Sequence, residues 1–102
     1  MIRHSVFIRF RSEITRAERD ALYAALAELS GQLPGMGRLS AGPNVSPEGL
    51  GKGFDEGFAV DFTDAAARDA YLADPRHRTI GARIVAAADG GPDGIFVFDL
   101  EI

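Results

Sequence analysis

The chain has no cysteine among its 102 residues, which excludes disulfides, thiolate catalysis and cysteine-ligated metals. It has no apolar run long enough to cross a bilayer. Its N-terminus alternates charge with apolar residues in place of a signal core, which points to a cytoplasmic protein. Positive charge is also scarce. Eleven Lys and Arg face fifteen Asp and Glu, giving a net charge of −4, so neither nucleic acid nor an anionic membrane is an expected partner. The two histidines, His4 and His77, are far apart in sequence, and without an HxH or HxxxH pair no metal site is expected. Gly49-Leu50-Gly51-Lys52-Gly53 lacks Walker spacing and reads as a flexible loop. No cofactor is implied by any of these features. No internal repeat is evident, and the length suits one domain spanning residues 1–102.

What is present is a clear periodicity. Residues 2–11 alternate, with Ile2, His4, Val6, Ile8 and Phe10 on one face, and read as a half-buried strand. Thr15-Arg16-Ala17-Glu18 is a capping box, followed at helical spacing by Ala21, Leu22, Ala25, Leu26 and Leu29. Residues 36–41 are weakly strand-like, and Gly42–Gly53 reads as a loop. Phe54, Glu56, Phe58, Val60 and Phe62 share one face of a further strand. Thr63 is placed to cap a short helix ending near Ala73, and Asp74-Pro75 to start another. Residues 94–102 alternate as a last strand. The order is that of an α+β, ferredoxin-like β-α-β-β-α-β fold, with a four-stranded antiparallel sheet and its helices on one face. Phe7, Leu39, Ala59, Ile95 and Val97 are expected among polar residues on the open face, where a second subunit would cover them.

Four polar groups fall where chemistry could be done. His4 lies on an apolar strand face, either as a core histidine or as a pocket imidazole. Glu56 lies among Phe54, Phe58 and Val60, and is either raised in pKa by burial or frayed into water at the strand start. Tyr71 and His77 flank the Asp74-Pro75 helix start, where the helix N-terminus should keep His77 neutral. Converging on one cavity, they could serve as hydrogen-bond donor and base; otherwise they are ordinary surface residues. Pairing residues 2–11 squarely with 53–62 sets His4 against Val60 and Glu56 against Ile8. His4 and Glu56 are then ~13 Å apart along the strands and form no dyad.

The segments Ile2-Arg3-His4-Ser5-Val6-Phe7, Leu33-Pro34-Gly35-Met36, Gly42-Pro43-Asn44-Val45-Ser46, Lys52-Gly53-Phe54, Tyr71 through His77, and Phe98-Asp99 together resemble the stress-responsive A/B barrel domain (Dabb) family of the dimeric α+β barrel superfamily. The resemblance covers nearly the whole chain. It implies a homodimer closed through the open sheet faces, with a small-molecule pocket between each sheet and its helices. Most members have no established activity, and some are linked to stress responses. A plant member is a cofactor-independent polyketide cyclase, whose functional residues fall by motif match on His4, Glu56, Tyr71 and His77. Glu56 departs from that pattern, since histidine is expected there.

Three readings follow. The first is a stress-associated dimer binding a small, largely apolar or aromatic ligand, with Glu56, Phe54 and Phe58 facing it. The second is a cofactor-independent lyase, cyclase or oxygenase acting on a polyketide-like or phenolic substrate. In that case His77 is the base, Tyr71 the donor and His4 the support. The third is an interaction module whose pocket is packed core.

Overall fold

The computed structural model describes residues 1–102. Its elements run β1 (Ile2–Ile8), α1 (Arg16–Ala27), β2 (Met36–Pro43), β3 (Glu56–Phe62), α2 (Ala65–Ala73), α3 (Pro75–Ala87) and β4 (Ile95–Glu101), with short 3-10 turns at Glu28–Gly31 and Gly91–Gly94. The antiparallel sheet has the order β2-β3-β1-β4. This is the expected ferredoxin-like topology, with the helices on one face. The central register also agrees with the sequence pattern, since His4 pairs with Val60 and Ile8 with Glu56. No helix is long and apolar enough to cross a membrane.

The core lies between the helices and one sheet face. Ile2, Val6 and Ile8 of β1 and Phe58, Val60 and Phe62 of β3 meet Leu22 and Leu26 of α1, Tyr71 of α2, and Ile80 and Ile84 of α3. The helix starts are held as short polar side chains dictate. The Thr15 hydroxyl accepts from Glu18 N–H at 3.1 Å, and the Asp74 carboxylate accepts from Arg76 N–H at 2.8 Å.

Several boundaries differ from the sequence reading. β1 stops at Ile8, because the backbone beyond it leaves the β3 ladder. Arg9 N–H donates to Gly94 O, Asp89 N–H donates to Arg9 O, and Phe10 bridges Ala88. Gly94 is required there, since a Cβ would stand 2.5 Å from Asp89 O. β2 runs on to Pro43, two residues into the stretch read as loop. The cap of α2 is Asp64, whose carboxylate accepts from Ala67 N–H at 2.8 Å, not Thr63, whose N–H donates to Gly35 O.

The open sheet face also needs correction. Pairing of β1 with β4 sets Phe7 against Phe96, Ser5 against Phe98 and Arg3 against Leu100, so Phe96, Phe98 and Leu100 lie on the open face with Phe7 and Ala59. Leu39, paired with Val60, is buried on the helix side. Ile95 and Val97, paired with Ile8 and Val6, face that side too. Both faces of β4 are apolar, so its alternation alone does not distinguish inside from outside. The open face is therefore aromatic along β1 and β4. Phe7 stacks on Phe96 with centroids 5.9 Å apart, and Phe98 is 51% exposed.

Candidate functional site

His4 and Glu56 are the two buried residues with ionisable side chains other than tyrosine, at 3% and 4% exposure. The sheet register keeps them at opposite ends of the helix-facing layer.

At the first end, the cross-strand pair His4 and Asp99 brings Nδ1 to 2.6 Å from an Asp99 carboxylate oxygen. The other Asp99 oxygen accepts from the Arg68 guanidinium of α2 at 2.7 Å. Burial pushes the Asp99 carboxyl up, but the hydrogen bonds from His4 and Arg68 and their charges outweigh it and hold the group below its ordinary value. A carboxylate acceptor at Nδ1 puts the neutral ring's proton there and leaves Nε2 with its lone pair. The His4 ring meets Tyr71 edge-on at 5.9 Å and lies 6.3 Å from both Phe58 and Phe62.

Tyr71 has no exposed surface, and its hydroxyl has no hydrogen-bond partner. Burial alone drives its phenol well above the ordinary value, so it is a neutral donor. The His77 ring lies 4.2 Å from the Tyr71 ring, and its Nδ1 is 3.3 Å from the Leu72 carbonyl. His77 is half-buried, and that burial lowers its pKa. The Leu72 carbonyl opposes the shift, and nearby His4 adds to it. The expectation of a neutral His77 therefore holds in direction, but desolvation is the main cause and not the helix N-terminus. The structure thus brings His4, Tyr71 and His77 together. It shows a donor without an acceptor beside two imidazoles.

Glu56 lies at the other end. It is neither frayed into water nor raised in pKa. Arg16 clamps it with two hydrogen bonds of 2.7 and 2.8 Å, the Tyr23 hydroxyl donates to it at 2.9 Å, and Arg19 stands 3.8 Å away. Burial pushes the carboxyl up, but these bonds and charges together leave it below its ordinary value, hence ionised. Tyr23 is pushed up by burial and then by its bond to Glu56. Residues 16, 19 and 23 fall on one stripe of α1, which aims all three at the start of β3.

Phe58 stands between the ends, with its ring 6.3 Å from both His4 and Tyr23. Phe54 does not share its face. Lys52 at φ 56° and Gly53 at φ 86° turn the chain before β3 begins. Phe54 consequently packs 6.1 Å from Phe96 under the Arg9 guanidinium. Phe54, Glu56 and Phe58 line an open recess of about 560 Å³ at the Pro43 end of the sheet, together with Phe7 and Val45. No group of three His, Cys, Asp or Glu side chains is arranged to hold a metal.

Sequence reasoning missed Asp99, Arg68, Arg16 and Tyr23. A signal for the first existed, because a last strand antiparallel to the first puts a carboxylate within reach of His4. Arg16, Arg19 and Tyr23 were legible as a polar stripe bordering an apolar one.

A sequence model of the Stress Responsive A/B Barrel Domain matches residues 2–102. A dimeric ferredoxin-like protein of unknown function from Jannaschia sp. CCS1 is 36% identical, with a TM-score of 0.92, 99% of this chain covered and 98% of the other. Two plant structures share the fold at 22% identity. One is a protein from Arabidopsis thaliana, with a TM-score of 0.88 and 100% and 95% of the two chains covered. The other is the hydroxynitrile lyase of Passiflora edulis, with a TM-score of 0.84 and 99% and 92% covered. No curated protein matches by sequence.

Proposed function

Since the chain belongs to the stress-responsive A/B barrel domain family, we propose that it is a homodimer binding a small, largely apolar or aromatic ligand beside His4, Tyr71 and His77. The observation that carries this reading is the unpartnered Tyr71 hydroxyl. A buried polar atom left without a partner costs ~1–3 kcal/mol, and native structures tolerate few of them outside functional sites. A ligand carbonyl, phenol or carboxylate would supply the missing acceptor. The Phe58 ring lies 6.3 Å from His4, whereas Glu56 and Phe54 border the separate recess at the Pro43 end, whose lining includes none of His4, Tyr71 and His77.

The dimer is supported by the exposed Phe7, Phe96, Phe98 and Leu100 and by the dimeric relative from Jannaschia. A second reading, cofactor-independent lyase, cyclase or oxygenase chemistry, draws on one observation: burial keeps His77 neutral and able to accept a proton beside a phenol donor.

The test is a thermal-shift screen of phenols, β-polyketones and aromatic acids on wild type, Tyr71→Phe and His77→Ala. A stabilising hit lost in both variants supports the site. A hit unaffected by either moves binding elsewhere, and the absence of any hit favours a packed interaction module. Turnover of a hit, abolished in His77→Ala, would establish the second reading. Sedimentation of wild type at 10.9 kDa would overturn the dimer.

A further inference from the structure

We propose that Arg68 is a positioning residue for His4. By tying Asp99 down from α2, it fixes the imidazole as the Nδ1–H tautomer and keeps the Nε2 lone pair for the Tyr71 site. The inference rests on the proposed role of that site and adds a residue outside it.

The geometry is a closed set of four side chains on three elements. His4 and Asp99 are directly opposed on neighbouring antiparallel strands. Arg68 and Tyr71 are three residues apart on α2, so one helix face presents both to that strand pair. Arg68 reaches one Asp99 oxygen at 2.7 Å, and His4 reaches the other at 2.6 Å. The strand register points Asp99 to the helix side, but β4 is an edge strand and the side chain retains 26% exposure, so its two partners are what hold the carboxylate against His4. Arg68 is also engaged from the solvent side by Asp69 at 2.8 Å, which holds the guanidinium at the mouth of the pair.

The remaining groups facing His4 are Tyr71 of α2, His77 of α3, and the uncharged Phe58 and Phe62 of β3. No other carboxylate is there to choose its tautomer. The choice decides what the site offers. With the proton on Nδ1, Nε2 keeps a lone pair able to accept a hydrogen bond from a ligand; with the proton on Nε2, that nitrogen could only donate.

The test is long-range 15N–1H spectroscopy of the histidine rings at about pH 8, where an ordinary imidazole is neutral. Wild type should show a single Nδ1–H pattern for His4, with a low-field Nδ1 proton from the short bond to Asp99. Arg68→Gln should lose that proton signal and give a tautomer mixture, as should Asp99→Ala, while Arg68→Lys restores much of the wild-type pattern. Backbone amide spectra establish that each variant is folded. An unchanged His4 pattern in Arg68→Gln would overturn the proposal. So would an Nε2–H ring in wild type, which needs no variant at all. The measurement uses no ligand, so failure of the binding screen and failure of this inference are read separately.

Discussion

Two tyrosines are buried against the same sheet, and they meet opposite fates. Tyr23 donates its hydroxyl to Glu56, whose carboxylate is also clamped by Arg16, so the polar atoms at that end are spoken for. Tyr71 packs against His4, Phe62 and His77 and donates to nothing. The ends differ in what their polarity is for. The Glu56 cluster fastens α1 to the start of β3. The Tyr71 end leaves one hydrogen-bond donor without a partner. Burial alone does not mark a functional residue; the unspent donor is what the proposed binding site rests on.

The contrast should show most strongly in stability. Glu56→Ala leaves the Tyr23 hydroxyl without its acceptor, leaves Arg16 with Asp20 alone and opens a void, and should cost about 3 kcal/mol. That corresponds to a fall in melting temperature of about 12–20 °C by calorimetry. Loss of less than about 1 kcal/mol would mean that the cluster is not a fastening.

Acid should remove part of the same stabilisation. Glu56 and Asp99 are both held below their ordinary values of 4.5 and 3.8, so the folded state binds fewer protons than the unfolded chain. Their contribution is present above those values and is lost as pH falls through the lower, folded ones. Denaturant titrations across that window should show a steeper decline in wild type than in Glu56→Gln.

A smaller effect separates the tyrosines themselves, because one chemical change is made twice. Tyr23→Phe removes a hydrogen bond to a buried carboxylate and should cost ~1–2 kcal/mol. Tyr71→Phe removes a hydroxyl that has no partner and should leave stability unchanged or raise it by up to ~1 kcal/mol, while abolishing ligand binding. Equal losses in the two variants would break the distinction.

The sequence carried the frame of this contrast but not its partners. Strict alternation in β1 and β3 fixed their faces, and square pairing correctly kept His4 and Glu56 apart. Asp74-Pro75 marked the start of α3, but spacing alone left open whether Tyr71 and His77 converge, which the packing of α2 on α3 decides. Alternation could not decide which side of β4 faces the helices, because Ile95 and Val97 are as apolar as Phe96 and Phe98. Asp99 was hidden by that ambiguity. The state of Glu56 depended on Arg16 and Tyr23, 40 and 33 residues away, and no local pattern reports such a pairing. At Thr63-Asp64 two adjacent capping residues competed, and the backbone of Gly35 had already claimed the first.

The strand order has a consequence for how the protein is made. β1, the first of the four strands in chain order, lies between β3 and β4, and its second neighbour is the last of the four. While the chain is growing, β1 can pair with β3 but presents a bare edge on its other side, with His4 lacking Asp99. At translation rates of about 5–20 residues per second, some seconds separate the appearance of the two strands. Completion of the sheet is therefore a late, long-range event in the life of the nascent chain, and the His4 end is finished last.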